Sequence, residues 1–288
     1  MSLGFISETT YRVNGLNFAA KEWGTPGATP VIALHGWLDN AASFDVMLPH
    51  MDNLHVVALD CAGHGNSSFR SADSSYNIWQ DIGEVMAIAD QLGWQRFALL
   101  GHSRGAIISS LIAGTFPDRI THVALIDGHI PSLEDERGSA VQLAKSLQDH
   151  RRYTEASPSY FHSFERAVQA RVNGFAPLQE SAATVLAKRG VREESRGFYW
   201  HNDQRLKAAS ELKLTREHLK DFHGAITAEV MLIQAEDSPF NSGSQDDESF
   251  SWVASFEFVT MKGSHHLHME DQAHQVAEKV QSFLRPIG

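Results

Sequence analysis

Gly101-His102-Ser103-Arg104-Gly105 is the stretch of this sequence that decides the fold. It follows residues 97–100, an apolar run typical of a buried strand, and it precedes a helical pattern with apolar side chains at positions 107, 108, 111 and 112. A strand, a tight G-x-S-x-G turn and a helix are typical of a nucleophile elbow, in which the turn lifts the serine hydroxyl above the sheet. We therefore predict that Ser103 is a nucleophile at the positive end of the helix dipole.

Short apolar runs alternate with helical patterns on both sides of this turn. Continuous apolar runs are typical of parallel strands that are covered on both faces. The predicted strands are residues 31–34, 55–59, 97–100, 122–126, 230–233 and 256–259. Helices are predicted over residues 78–92, with Gly93 as a C-terminal cap, and over residues 273–284. The alternation predicts an α/β fold with a doubly wound, mostly parallel sheet that binds ligands at the carboxyl ends of its strands.

One segment breaks this alternation. From residue 131 to residue 225 we find helical patterns and no convincing buried strand, over a length too great for an ordinary loop. The helical patterns cover residues 140–147, 161–172 and 181–188. We therefore predict a core of residues 1–130 and 226–288. A helical cap, or lid, of residues 131–225 is inserted after the strand that ends at Asp127.

The predicted cap also differs from the core in charge. It holds 15 basic and 13 acidic side chains, which leaves nine basic and 22 acidic ones in the rest of the chain. One interpretation is a solvated helical surface rich in arginine. The alternative is that charge holds the cap to the acidic core or attracts anionic substrates. A second break, residues 236–251, is rich in Ser, Asp and Gly and predicts a mobile loop.

The composition narrows the class of protein. The 288 residues are 42% hydrophobic and 20% charged, which suits a globular protein with a sizeable core. A net charge of −11 argues against nucleic-acid binding. Cys61, the single cysteine, excludes an internal disulfide framework and fits a reducing compartment. No apolar run is long enough to span a membrane, and residues 1–11 lack the basic start and apolar core of a secretion signal, so we expect neither a membrane span nor secretion. We therefore expect a cytoplasmic protein with a small-molecule substrate, whose oligomeric state the sequence does not indicate.

A serine hydroxyl is a weak nucleophile until a base takes its proton. The best candidate base is His265, which directly follows a Gly-Ser turn between the last predicted strand and the last helix. His265, His266 and His268 could instead ligate a metal, but no carboxylate or thiol partner stands at an obvious spacing. We therefore predict His265 as the base, with no metal and no cofactor.

Two aspartates are candidates for the acid that orients this base. Asp127 directly follows residues 122–126, so it ends a buried strand at the sheet edge where Ser103 is lifted. A carboxylate there is held rigidly and shielded from water, as the role requires. Asp237 begins the Ser-, Asp- and Gly-rich segment, whose composition indicates mobility and contact with solvent. We predict Asp127 as the acid and keep Asp237 as the alternative.

Taken together, these residues resemble the α/β-hydrolase superfamily, and they are more similar still to its serine hydrolase-like (kraken-type) family. The resemblance spans about residues 15 to 284. Besides the elbow it rests on Leu34-His35-Gly36-Trp37-Leu38-Asp39-Asn40, Gly63-His64-Gly65-Asn66-Ser67-Ser68, Asn202-Asp203-Gln204-Arg205-Leu206, and Gly263-Ser264-His265 with His268-Met269. It implies the α/β-hydrolase fold with high specificity and indicates the substrate only weakly.

The resemblance also implies an oxyanion hole made by the backbone N–H groups of Trp37 and Arg104. Two such donors stabilise a tetrahedral oxyanion, and the loss of one typically costs ~10²–10³ in rate. We interpret His35, Asp60 and His64 as residues that orient or stabilise their loops and take no part in the chemistry.

The sequence departs from the superfamily at the acid. Many members place an aspartate just before a proline after the corresponding late strand, whereas here Ser238 precedes the proline and Asp237 lies one position earlier. Haloalkane dehalogenases resemble this chain in using the end of the earlier strand, where Asp127 stands. Those enzymes and the epoxide hydrolases carry an aspartate nucleophile, so Ser103 disfavours both of their reactions.

We therefore predict a serine hydrolase of the carboxylesterase type, which cleaves an ester, thioester or related acyl bond through a covalent acyl-enzyme. Two alternatives stay open. One is a cofactor-free lyase or carbon–carbon hydrolase on the same three residues, and the other is a hydrolase-fold binding protein without turnover. The aromatic candidates for the pocket, each of which could equally belong to the core, are Trp37, Trp79, Phe161, Phe164 and Phe198.

Overall fold

The computed structural model describes residues 2–133, 138–240 and 248–284. The strands in these residues are β1 (Phe5–Val13), β2 (Leu16–Gly24), β3 (Thr29–Leu34), β4 (Leu54–Leu59), β5 (Phe97–His102), β6 (Ile120–Ile126), β7 (Val191–Glu194), β8 (Gly197–Trp200), β9 (Glu229–Ala235) and β10 (Phe256–Met261). The α-helices are α1 (Ile78–Gln91), α2 (Arg104–Thr115), α3 (Ser139–Thr154), α4 (Phe164–Val172), α5 (Glu180–Gly190), α6 (Arg216–Gly224) and α7 (Ala273–Leu284).

Eight strands form one sheet in the order β1-β2-β4-β3-β5-β6-β9-β10. Neighbours from β4 to β10 run parallel, whereas β2 is antiparallel to both β1 and β4. The six predicted strands are all present, so the α/β fold with a doubly wound, mostly parallel sheet is confirmed. The sequence analysis missed β1 and β2. The edge strand β1 alternates exposed and partly buried side chains, so it has no continuous apolar run.

Two apolar clusters pack on the opposite faces of this sheet. Successive side chains of a strand point to opposite faces, so Ile32 and Leu34 join one cluster while Val31 and Ala33 join the other. Helices α1, α2 and α6 cover the first face, and α7 covers the second together with residues 41–51. Burial on both faces explains why the central strands are continuously apolar in sequence.

The segment between β6 and β9 contains α3 to α6 and also an antiparallel hairpin of β7 and β8. The prediction of helices alone was therefore wrong for this segment. Each hairpin strand has four residues and no fully buried one, so the apolar run that indicates a buried strand is absent. Helix α4 begins at Phe164, later than predicted, because the Ser163 side chain accepts a hydrogen bond from the N–H of Arg166 and caps the helix.

Helices α4 and α5 form a separate apolar cluster that also includes Met269, after β10, whereas α6 packs against α2. A Cβ on Gly114 of α2 would lie 2.1 Å from the carbonyl oxygen of Phe222, so α6 and α2 are in close backbone contact. The division into a core and a cap of residues 131–225 stays a prediction, and α6 belongs to the sheet core by its packing.

The predicted mobile loop of residues 236–251 is described only at its two ends. Residues 241–247 lie outside the described part of the chain, and Glu248–Trp252 form a short 3-10 helix. Within the described ranges, no helix is both long enough and apolar enough to span a membrane.

Candidate active site

Ser103 stands between β5 and α2 in a backbone conformation with φ of 52° and ψ of −116°. L-residues rarely adopt a positive φ, so the turn is strained. Two glycines make room for it. A Cβ on Gly101 would lie 2.5 Å from Cα of Ala106, and one on Gly105 would lie 2.0 Å from the carbonyl oxygen of Leu34. The predicted strand, tight turn and helix around Ser103 are therefore present.

Asp127 follows β6, the parallel neighbour of β5, and its buried carboxylate is hydrogen-bonded to Nδ1 of His265. Three further donors hold this carboxylate. Oδ1 accepts from the N–H of Ala235 at 2.9 Å and from the Gln234 amide, while Oδ2 accepts from the Ser238 hydroxyl. Because these donors fix the carboxylate, it can hold the His265 ring in one orientation.

Asp237, the alternative acid, is exposed and has no hydrogen bond to His265 within the described part of the chain. Its backbone N–H donates to the carbonyl oxygen of Gly263 at 3.1 Å. Ser238 occupies the position before the proline and donates to Asp127. Of the two predicted acids, the structure brings only Asp127 to the histidine.

Ser103, Asp127 and His265 line one cavity of about 700 Å³. No described residue is hydrogen-bonded to the Ser103 hydroxyl, so the contact with His265 that would activate it is not made here. Such contacts are often long in unliganded enzymes and tighten in the substrate complex. The site thus has the candidate nucleophile and base at one cavity, with the base already oriented by a carboxylate.

The loop after β3 brings Trp37 to the same cavity. The adjacent Leu38 has a positive φ of 62°, and the N–H of Asp39 closes the turn on the carbonyl oxygen of Gly36 at 3.2 Å. Among the described groups, none accepts a hydrogen bond from the N–H of Trp37 or Arg104. Arg104 is the first residue of α2, and N–H groups of a first helical turn have no partner within the helix. Both N–H groups are therefore available to a ligand, as the predicted oxyanion hole requires.

His35 and His64 hold the loops that surround this edge of the sheet. Nδ1 of His35 donates to the carbonyl oxygen of Gly36 at 2.7 Å, and its Nε2 accepts from the N–H of Cys61 at 3.1 Å. Nδ1 of His64 lies 3.0 Å from the carbonyl oxygen of Ala62. Burial lowers the pKa of both rings, so they are neutral at neutral pH. These contacts agree with the loop-orienting roles predicted for both histidines.

Asp60 stabilises its turn and also binds an arginine from the segment between β6 and β9. Its carboxylate accepts from the N–H groups of Ala41 at 2.7 Å and Asn66 at 2.8 Å. It is buried against the guanidinium of Arg189 on α5, whose other side binds the carboxylate of Glu8 at 2.6 Å. The turn-stabilising role was predicted, whereas the ion pair was not, because its partner lies 129 residues away in sequence.

Three buried histidines could hold a metal ion, since one ring nitrogen of each lies within 4.8 Å of the others. They are His102, His265 and His266. This set differs from the predicted alternative by taking His102 in place of His268. Nδ1 of His265 is bound to Asp127, and Nη2 of Arg171 donates to Nε2 of His266 at 3.0 Å. These two ring nitrogens are therefore already engaged in hydrogen bonds, so the cluster suits neutral, hydrogen-bonded histidines better than a metal.

Aromatic and aliphatic side chains line the cavity together with polar and charged ones, and most of its exposed wall is apolar surface. Of the predicted aromatic candidates, Trp37 and Phe161 line it, and Trp79, Phe164 and Phe198 do not. The lining aromatic residues that the sequence analysis missed are Phe175, Trp200, Phe240, Phe250 and Phe258. These residues are distant in sequence and come together only in the fold, so no local pattern could have indicated them.

The family model for the alpha/beta hydrolase fold matches residues 29–272. The chain is 32% identical to "Serine hydrolase-like protein 2" from Homo sapiens, over 98% of this chain and 95% of the human protein. A crystal structure of a hypothetical protein from Pseudomonas aeruginosa PAO1 has a TM-score of 0.90 at 37% identity, covering 96% of this chain and 98% of the other. A thioesterase domain from the curacin biosynthetic pathway has a TM-score of 0.83 at 22% identity, over 98% and 99% of the two chains, which shows a shared fold.

Proposed function

This chain belongs to the alpha/beta hydrolase fold family, and we propose that it is a serine hydrolase of the carboxylesterase type. Its substrate in this proposal is a small molecule with an ester, thioester or related acyl bond. Ser103 is the nucleophile, His265 the base and Asp127 the acid. The observation that carries the proposal is the hydrogen bond that Nδ1–H of His265 donates to Asp127, beside the cavity that the strained Ser103 also lines.

The proposed reaction has two halves. Oγ of Ser103 attacks the acyl carbon while Nε2 of His265 takes its proton, and Asp127 stabilises the resulting imidazolium. The N–H groups of Trp37 and Arg104 donate to the oxyanion. The leaving group departs with the proton from His265. Water then attacks the acyl-enzyme with His265 again as base, which releases the acid and restores Ser103. These steps use no metal and no cofactor.

We also propose that the segment of residues 131–225 acts as a cap that selects the substrate. Phe161, Phe175 and Trp200 of this segment line the cavity, which supports the idea that it shapes the acyl-binding wall. A mostly apolar cavity of this volume suits a small organic ligand. A cytoplasmic location remains part of the proposal, supported by the free, buried thiol of Cys61.

The first experiment compares wild type and Ser103→Ala for labelling by a fluorophosphonate and for hydrolysis of p-nitrophenyl esters of increasing acyl length. Ser103→Ala should lower kcat by on the order of 10⁴–10⁶ without changing the circular dichroism spectrum, because only binding and the oxyanion hole remain. Ser159→Ala, another cavity-lining serine, is the matched control and should keep its activity.

Wild-type turnover in pure Ser103→Ala would contradict the proposal. Wild type that is neither labelled nor active would favour the binding-protein alternative. Reaction in ¹⁸O-labelled water separates the lyase, because a hydrolase places one labelled oxygen in the acid product and a lyase places none. The second product separates the carbon–carbon hydrolase, because cleavage of a carbon–carbon bond releases a C–H compound in place of an alcohol or thiol.

A further inference from the structure

Arg171, on α4, joins three parts of the molecule through its guanidinium. Nη2 donates to Oδ1 of Asp39 at 2.9 Å, in the loop after β3, and to Nε2 of His266 at 3.0 Å, in the turn after β10. Nη1 donates to the carbonyl oxygen of Ala176 at 2.9 Å, in the loop after α4. One side chain therefore connects both loops of the proposed site to the wall of the cavity.

The carboxylate that Arg171 binds is almost completely buried. Asp39 is 1% exposed, and its Oδ2 lies 3.3 Å from Nε2 of His266 and 3.8 Å from Nδ1 of His102. Burial acts to raise the pKa of Asp39, but the positive charge of Arg171 outweighs it, so the pKa lies well below its usual range. Without Arg171 this buried charge would lose its permanent cation, which proteins avoid by moving or protonating the group.

The two loops held by Arg171 carry the proposed chemistry. Asp39 lies two residues after Trp37, whose N–H belongs to the proposed oxyanion hole, and His266 directly follows His265. A shift of either loop changes the distance between the oxyanion donor and the base. Misplacement of reacting groups by about 1 Å can cost ~10² in rate.

We propose that Arg171 is a positioning residue for the acyl transfer, which holds the oxyanion-hole loop and the His265 turn in a fixed relation. This inference rests on the proposed serine hydrolase function. Arg171 also lines the cavity, so a role in binding the substrate is the competing explanation. Both of its terminal nitrogens are occupied by Asp39, His266 and Ala176, which favours positioning.

The test measures kcat and KM for the best p-nitrophenyl ester in Arg171→Met, which removes the charge and the donors. We expect kcat to fall by ~10² with KM little changed, and fluorophosphonate labelling of Ser103 to slow in parallel. Arg171→Lys keeps a charge near Asp39 but carries its donors on one nitrogen, whereas Arg171 uses two, so it should restore only part of kcat. Arg166→Met, an exposed arginine on the same helix, is the matched control and should match wild type.

A double-mutant cycle with Asp39→Asn tests whether the two side chains act as one unit. If they do, the double variant Asp39→Asn/Arg171→Met is no slower than Arg171→Met alone. If Arg171→Met does not fold, kcat and KM are compared between wild type, the double variant and Arg171→Lys. Neither of these variants leaves the carboxylate buried without a cation.

Wild-type kcat in Arg171→Met overturns the inference, and so do additive losses in the cycle. A higher KM with unchanged kcat also overturns it, because that result indicates direct contact with the substrate. Wild type without turnover and without labelling overturns the proposed function itself, and the role of Arg171 with it. If wild type is active and one of the contradicting results for Arg171→Met is found, only the inference about Arg171 has failed.

Discussion

His265 is bound to Asp127 at the end of β6 and not to the exposed Asp237 after β9. Asp127→Asn should lower kcat by up to ~10⁴, because an amide no longer holds the required tautomer or stabilises the imidazolium. Asp237→Asn should lower kcat far less. Both variants are assayed on the same ester after a folding check by circular dichroism. If Asp237→Asn lost most of its kcat while Asp127→Asn kept nearly all of it, the assignment of the acid would be reversed.

Ser238 offers a way to move the acid to a neighbouring position. Its hydroxyl contacts Oδ2 of Asp127, the same oxygen that binds His265, so a carboxylate at position 238 would lie beside the histidine. The double variant Asp127→Asn/Ser238→Asp should therefore have a kcat at least about tenfold higher than that of Asp127→Asn alone. A factor of about ten corresponds to the free energy of one charge-assisted hydrogen bond. Asp127→Asn/Ser159→Asp is the control. Equal rates in both double variants would argue against this geometry.

The residues of the site differ in how far the sequence could reveal them. Ser103 and His265 stand in local motifs, and Asp127 directly ends an apolar run, so strand and turn patterns were enough. Ser238 and Arg171 act through contacts with residues 111 and 132 positions away. A local pattern does not contain such a contact, because it depends on how separate loops meet at the sheet edge.

At the scale of elements, β3, β5 and α2 meet too closely for any side chain at position 105. A Cβ on Gly105 would lie 2.0 Å from the carbonyl oxygen of Leu34, a backbone atom that cannot swing away. Gly105→Ala should therefore destabilise the fold by about 4 kcal/mol or more, the range of severe steric substitutions. The measurement is the free energy of unfolding in urea.

The matched control for this substitution is Gly83→Ala on α1. A Cβ there has no neighbour within 4 Å, and alanine is the better helix former. Gly83→Ala should stabilise the protein by about 0.5–1 kcal/mol. If Gly105→Ala unfolded at the same urea concentration as Gly83→Ala, the close contact of α2 with β3 would not exist.

The elements themselves were predicted where both faces of a strand are buried. Residues 31–34 and 97–100 are apolar at every position because helices cover the sheet on both sides. The edge strand β1 and the hairpin of β7 and β8 lack that burial, so their sequences carry no comparable signal. The core of the sheet was thus predictable, whereas its edge and the hairpin required the three-dimensional contacts.

At the scale of the whole molecule, the proposed cap can be separated from the core by deletion. Replacing α3 to β8 with a flexible linker, while keeping α6, should leave a folded sheet domain that has lost the acyl-length preference of the full chain. A longer deletion that also removes α6 should not fold, because Leu219 is fully buried in the sheet core. An unchanged acyl-length profile in the shorter deletion would contradict the cap proposal.

Buried histidines make the stability of the whole fold sensitive to acid. Burial lowers the pKa of a set of rings that are neutral in the folded protein. They are His35, His64, His102, His223, His266 and His268, and the pKa of His223 falls to about 4. Below about pH 6.5 the unfolded chain binds more protons than the folded one. Their contribution to stability is therefore complete above that pH and is lost as the pH falls towards the folded values.

Two acids act in the opposite direction, and one of them is Asp45, whose pKa is raised by burial. Burial raises the pKa of Glu84 to about 7, so the stability that its proton provides is present at low pH and lost as the pH rises from about 4.5 to about 7. Acidification over this range therefore gains stability from these carboxyl groups and loses it from the larger set of histidine rings. The net expectation is that the free energy of unfolding decreases between about pH 7 and about pH 4.5.

His223 allows this expectation to be tested at one position, away from the cavity lining. With its pKa moved from about 6.5 to about 4, the ring accounts for a loss on the order of 2 kcal/mol over that range. His223→Leu removes the titrating group, so its free energy of unfolding in urea should fall less on acidification than that of wild type. His162→Leu, at an exposed histidine, should keep the wild-type pH dependence. Equal acid sensitivity of His223→Leu and wild type would show that the buried ring of His223 does not drive the loss.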